Sequence, residues 1–221
     1  QNTNFIMGLK NKRILITAGP TWVKIDNVRV ISNIATGETG ILLTQEAKSQ
    51  GAHVSLLLGP VNNCCLDKSI RILHFKFFDE LKNSLVKELS TKRYDAVIHT
   101  AAVSDYCPKR IFKNKINSGL RQFSLKLVPT IKIVDLIKKI DNSVLAIAFK
   151  FEPHAKVNRL VSRAKTLFAS ADMDLVVANS ISNRHYRAYI LSKDKMTGPI
   201  PSKERLAKEL IKKIGEHFGG K

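Results

Sequence analysis

Apolar and polar positions along this chain follow two rhythms. Short, nearly continuous apolar runs recur at Arg13–Ala18 (RILITA), Val54–Leu58, Ile70–His74, Ala96–Thr100 (AVIHT), Val144–Phe149 and Leu175–Ala178. Runs of this length, rich in Ile, Leu and Val, predict strands buried on both faces. Between them the apolar residues shift to helical spacing. In Asp79–Leu89, for example, Leu81, Leu85, Val86 and Leu89 share one face. Helices are also predicted over Gly37–Gln50 with Gly51 as the stop, from about Ala155 to Ser170, and over the amphipathic stretch Lys203–Phe218. Gly59-Pro60 closes the second strand, and Tyr186–Leu191 is read as an edge strand. Strand–helix alternation of this kind implies an α/β domain, with a mostly parallel sheet, helices on both faces and right-handed crossovers. Ligands in such sheets bind beyond the C-terminal strand ends. The segments to search therefore follow Ala18, Gly59, Thr100, Phe149 and Ala178.

One region interrupts the alternation. Ser104 to about Val128 is basic and weakly periodic, with a strand candidate at Gln122–Val128. A connection of that length inside a compact domain is often a functional flap. Residues 1–10 read as a tag remnant or linker, and residues 11–221 as a single domain carrying a basic flap at about 104–128.

Composition narrows the class. Apolar residues make up 44% of the 221, as in a globular protein. No apolar run reaches the roughly 18 residues a membrane span needs, and no secretory leader is evident, so the reading is cytoplasmic with no membrane partner. Cys64, Cys65 and Cys107 form no metal or redox spacing and read as free thiols in a reducing compartment. His99 ends an apolar run and reads as a buried strand residue rather than a base. Charge is the unusual feature: Lys and Arg total 37 against 18 Asp and Glu, a net +19. Such a field attracts anions, but the basic residues are spread along the chain and many fit solvated helix faces. A nucleic-acid module would need a recognition helix or an aromatic RNA-binding signature, and aromatics are only 7%. A nicotinamide-dependent oxidoreductase would need an acidic ribose ligand ending the second strand, where the chain instead reads Leu56-Leu57-Leu58-Gly59-Pro60.

The chemistry-bearing motifs cluster at the predicted strand ends. The first strand runs into Thr17-Ala18-Gly19-Pro20-Thr21, and the first helix opens at Thr36-Gly37-Glu38-Thr39-Gly40. Gly37 and Gly40 suit either a phosphate at a helix N-terminus or close helix–strand packing. The inserted loop Asp26-Asn27-Val28-Arg29-Val30-Ile31-Ser32-Asn33 holds an Asp–Arg pair suited to bracing it. Asn33 offers a neutral amide that can both donate and accept. After the fourth strand comes Ala101-Ala102-Val103-Ser104-Asp105-Tyr106, where two alanines permit close approach and Asp105 can meet a ribose, a base edge or a metal. A flap lysine at Lys115 suits neutralising charge on a transferring phosphoryl group.

In order, TAGPT, IDNVRVISN, ATGETG, GPV, AAVSDY, KI, LVPTIK, AIAFK and VVAN resemble the phosphopantothenoylcysteine synthetases, from about Asn11 to Phe218. These occur free-standing or as the C-terminal half of a bifunctional decarboxylase/synthetase. The resemblance implies a Rossmann-like domain and a ligase of coenzyme A biosynthesis. It would join 4′-phosphopantothenate to cysteine through an acyl-nucleotidylate made from CTP, with ATP the alternative and magnesium accompanying the nucleotide. It assigns Asn33 and Lys115 as catalytic. Gly19, Thr21, Gly37, Gly40, Ala101, Asp105, Lys115, Val128, Pro129, Thr130, Ile131, Phe149 and Lys165 would bind nucleotide, and Arg29, Asn33, Ala101 and Ala102 would bind phosphopantothenate. A homodimer is implied too, with a decarboxylase as fused or associated partner. Three departures bear on the nucleotide contacts: Glu38 replaces a common lysine, Ala171 occupies the place of a second helix lysine beside Lys165, and Val128-Pro129-Thr130 replaces V-K-N-P.

Overall fold

The computed structural model describes residues 7–62 and 66–220. Cys64 and Cys65 lie outside the described residues, and Cys107 is a half-buried free thiol. The strands, in chain order, are β1 (Arg13–Ala18), β2 (Trp22–Lys24), β3 (Val30–Ser32), β4 (His53–Leu58), β5 (Arg71–His74) and β6 (Ala96–His99). They continue as β7 (Tyr106–Pro108), β8 (Leu127–Pro129), β9 (Leu145–Phe151), β10 (Leu175–Ser182), β11 (His185–Leu191) and β12 (Met196–Ile200). The helices are α1 (Glu38–Ser49), α2 (Phe78–Thr91), α3 (Val134–Ile140), α4 (Val157–Ala171) and α5 (Lys203–Gly219).

Eight strands form one sheet in the order β12-β11-β10-β9-β6-β1-β4-β5. The six from β10 to β5 pair in parallel, and β11 and β12 add antiparallel. Period-two alternation sorts each parallel strand between two apolar layers. Ile14, Ile16, Leu56, Ile98, Ile147 and Val177 face α1 and α5, packing with Leu43, Leu206, Leu210 and Ile214. Leu15, Leu57, Val97, Ala146 and Val176 face α2, α3 and α4, packing with Leu81, Leu85, Ile137 and Leu160. Burial on both faces is why these strands read as unbroken apolar runs.

From β1 the chain winds outward through β4 to β5, then returns to the other side of β1 as β6 and continues to β9 and β10. Winding direction therefore reverses between β1 and β6, and a crevice opens there beyond the strand ends.

Three sequence expectations need correction. Tyr186–Leu191 is not an edge: β11 lies inside the sheet, and β12 forms the edge. Pro199 hid β12 from the pattern, yet an edge strand tolerates proline because its outer amide needs no partner. The strand expected at Gln122–Val128 is shorter and later, at Leu127–Pro129. The packed body also begins before residue 11, because Met7–Leu9 forms a 3-10 turn whose Leu9 is fully buried. Among the described residues no helix is long and apolar enough to cross a membrane.

Candidate active site

The crevice between β1 and β6 is built from backbone. The segments leaving both strands stay paired past their ends: the Ala102 amide donates to Gly19 O at 2.9 Å and the Thr21 amide to Ala102 O at 3.1 Å. Thr21 is fully buried, and its hydroxyl accepts from the Ser104 amide at 2.9 Å. Ser104 passes the connection on, its carbonyl accepting from Thr130 Oγ1 at 2.7 Å, while the Thr130 amide donates to Asp105 O at 2.9 Å. Thr21, Ala102, Ser104, Asp105 and Thr130 thus form one network, drawn from three segments distant in sequence.

Asn33 joins this network from the β2–β3 hairpin, its Nδ2 donating to Ala102 O at 2.9 Å. Asn33 is exposed and lies beside Ala101 and Ala102. Gly37 stands behind them at the start of α1 in a left-handed conformation (φ 73°). A Cβ there would meet Val61 Cγ1 at 2.9 Å and the Gly19 amide nitrogen at 3.3 Å, so Gly19, Gly37 and Val61 of the GPV motif converge. Gly40 is required by packing: a Cβ would fall 2.4 Å from Ala18 Cβ and 2.6 Å from Thr100 Oγ1. Of the two readings of the split glycine motif, close helix–strand packing therefore accounts for Gly40.

Glu38, the departure beside the expected phosphate, is ion-paired with Lys203 of α5. The fold thus brings a lysine from another element to the start of α1, where the resemblance leads one to expect a lysine at position 38. Phe149 follows Ala148, the register partner of His99, so it sits level with the crevice mouth. Val128 and Pro129 lie in β8, and Ile131 beyond it is exposed. Lys165 is exposed on α4, about 12 Å along the axis from the start of that helix. Ala171 is buried at the far end of α4.

The flap is a docked structure. β7 and β8 pair antiparallel at its base, and the Lys109 amide donates to Lys126 O at 2.9 Å. Its middle rests on the β2–β3 turn, where the Phe112 amide donates to Ile25 O at 2.9 Å. Asp26 and Arg29 then hold Ile116, next to Lys115. Asp26 Oδ2 accepts from the Ile116 amide at 3.1 Å, and Arg29 Nη2 donates to Ile116 O at 3.0 Å. The Asp26–Arg29 ion pair, at 3.2 Å, does brace the loop. Arg29, which the resemblance assigns to phosphopantothenate, thus bonds Asp26 and the flap. Burial alone would raise the Asp26 carboxyl's pKa, but backbone donors from Ile116, Val28 and Arg29 and the Arg29 charge lower it overall. Lys115 is exposed on the docked flap.

Two further features sit at this edge. His99 is buried and bonded through Nδ1 to Thr17 Oγ1 at 2.8 Å, and burial pushes its pKa down to about 4. It is a neutral strand residue, as the sequence suggested. Asn179, where β10 carries VVAN, was assigned no role from sequence. It is 8% exposed, yet its Oδ1 has no hydrogen-bond partner among the described residues. A buried acceptor in that state calls for a donor, and its place on a motif-bearing strand end was the available signal.

Residues 9–217 match the family model described as "DNA/pantothenate metabolism flavoprotein C-terminal domain". The chain belongs to that family. Among relatives, it is 35% identical over 174 residues to the coenzyme A biosynthesis bifunctional protein CoaBC of Thermococcus kodakarensis, covering 78% of this chain and 42% of that one. Among solved structures, the DNA/pantothenate metabolism flavoprotein from Streptococcus pneumoniae superimposes with a TM-score of 0.84 at 27% identity, over 93% of this chain and 99% of that one. The C-terminal domain of a coenzyme A biosynthesis bifunctional protein CoaBC gives 0.79 at 25% identity, over 97% and 99%. The chain spans about half the length of the curated relatives it matches. Family membership agrees with the Rossmann-like sheet and with the ordered motifs from TAGPT to VVAN.

Proposed function

We propose that this chain is a phosphopantothenoylcysteine synthetase of coenzyme A biosynthesis, acting in the cytoplasm. The observation that carries this reading is the single network at the β1/β6 crevice. It ties TAGPT, Asn33, AAVSDY and LVPTIK together, with a lysine-bearing flap docked on the hairpin that presents Asn33.

In this reading the carboxylate of 4′-phosphopantothenate attacks the α-phosphorus of CTP, forming the acyl-nucleotidylate and expelling pyrophosphate. The amine of cysteine then attacks the acyl carbon, and CMP leaves with the bond electrons. The enzyme's part is positioning and charge stabilisation. Lys115 meets the charge developing on the phosphoryl oxygens. Asn33 holds the acyl intermediate with a neutral amide that does not repel it. Ala101 and Ala102, lacking bulk, let the reacting carboxylate approach the sheet edge. Asp105, Val128–Ile131 and Phe149 line the nucleotide side, and Gly19, Thr21 and Gly37 shape its floor. Among the described residues no group of three or more His, Cys, Asp or Glu converges as a metal cage. Magnesium would accompany the nucleotide, held by its phosphates.

The resemblance also implies a homodimer. Val28, Val30 and Ile34 on the hairpin and Ile111, Leu120 and Phe123 on the flap are exposed apolar side chains that a second copy would cover. Sedimentation at the mass of one chain would count against this. Because the relatives are named bifunctional, a decarboxylase is the expected partner, fused or separate.

The test of the reaction is pyrophosphate release with CTP or ATP, phosphopantothenate and cysteine, omitting each in turn. Release that requires nucleotide and phosphopantothenate, with amide product only when cysteine is added, supports the reading. Release indifferent to phosphopantothenate refutes it. Comparing the two nucleotides decides between CTP and ATP.

A further inference from the structure

We infer that Asp26 and Arg29 are positioning residues that set the flap lysine by gripping both peptide groups of Ile116; this rests on the proposed role of Lys115. The Ile116 amide belongs to the planar peptide that begins at the Lys115 carbonyl. When Asp26 Oδ2 accepts from that amide at 3.1 Å, the plane leaving Lys115 is fixed. Arg29 Nη2 fixes the next plane by donating to Ile116 O at 3.0 Å. Upstream, the Phe112 amide on Ile25 O at 2.9 Å ties the same short stretch to the same turn. The chain carrying Lys115 is therefore bracketed on both sides by residues 25–29.

The gripping pair is itself held in place. Asp26 is 2% exposed, and its Oδ1 accepts from the Val28 amide at 2.8 Å and the Arg29 amide at 2.7 Å, forming the turn. Its two oxygens thus divide the work: Oδ1 shapes the hairpin turn and Oδ2 holds the flap and Arg29. The hairpin that sets the flap also presents Asn33, so the groups proposed for the two half-reactions are placed by one element.

This division suggests the variant. Asp26→Asn keeps an Oδ1 acceptor for the turn but puts an NH2 group where the Ile116 amide needs an acceptor. Arg29→Lys keeps the charge beside Asp26 and loses the forked reach to Ile116 O. Both variants should keep the wild-type circular dichroism while amide exchange speeds up across 114–118. Single-turnover pyrophosphate release should fall about tenfold or more in Asp26→Asn, and the double variant Asp26→Asn/Lys115→Gln should be no slower than Lys115→Gln alone. Unchanged exchange across 114–118 in both variants overturns the grip. Losses that multiply in the double variant overturn action through Lys115. A wild-type chain that releases no pyrophosphate removes the proposed reaction but not the grip, which exchange decides by itself.

Discussion

Changing Lys115 to Gln removes one positive charge from an exposed flap position and disturbs no core contact. Folding should be unaffected, while pyrophosphate release should drop by about two orders of magnitude, as expected for losing a charge that acts on a transferring phosphoryl group. Near wild-type release would shift the role to Lys113. Asn33 makes the opposite demand. Its amide donates to Ala102 O, so Asn33→Asp sets a carboxylate against a carbonyl and beside an anionic intermediate. Labelled phosphopantothenate in a single turnover should then show acyl-nucleotidylate accumulating or leaking, with little amide product; equal loss of both steps would reduce Asn33 to general architecture. Asn33 was visible because it stands in the dense IDNVRVISN motif, and Lys115 only through the two-residue KI that the ordered resemblance picks out of the flap. Arg29's bond to the flap was not visible, because the partner, Ile116, lies in the flap and carries no motif of its own beyond KI. Lys165 was matched by position alone, and it is an exposed residue of α4.

Elements long or apolar enough to establish a period were the readable ones. The six parallel strands and the four longer helices follow from apolar runs and helical spacing. The β2–β3 hairpin, β7 and α3 did not, because three-residue strands and a seven-residue helix hold too few apolar positions to establish a period. The hairpin and β7 are what the flap docks on or is made from, so the site was less legible than the sheet that carries it. The contact between α1 and β1 gives a test at this scale. Gly40→Ala should push α1 off the sheet and destabilise the protein by roughly 1–3 kcal/mol, the usual cost of overpacking. Thermal unfolding checks it; an unchanged midpoint would mean that the helix start has room, and would return Gly40 to the ligand side of the two readings.

For the whole molecule, acid stability and charge are linked through two buried groups. Burial holds the His99 pKa near 4, below its ordinary 6.5. The unfolded chain therefore binds a proton between those values that the native state refuses, and stability falls as pH drops through that window, by about 2 kcal/mol between pH 7 and 5. His99→Asn should flatten this slope in denaturant titrations; an identical slope would assign it to other groups. Glu88 acts lower. Burial opposes its charge, but bonds from Arg71, Tyr94 and Lys92 outweigh burial and lower its pKa from 4.5 to about 2. Its stabilisation is complete above about pH 4.5 and is lost as pH falls toward 2. The net +19 suits the proposed site, which would gather two anionic substrates at once.

In the proposed reaction the carboxylate of phosphopantothenate becomes joined to the nucleotide's α-phosphorus before cysteine attacks. Oxygen-18 in that carboxylate reports on this directly. Attack on phosphorus puts a carboxylate oxygen in the bridge, and cysteine attack at carbon leaves it on the nucleoside monophosphate. Mass spectrometry of the products should find one heavy oxygen in the released CMP or AMP for each fully labelled carboxylate consumed, and the other in the new amide. Heavy oxygen in inorganic phosphate or pyrophosphate, or none in the nucleoside monophosphate, would contradict the claim.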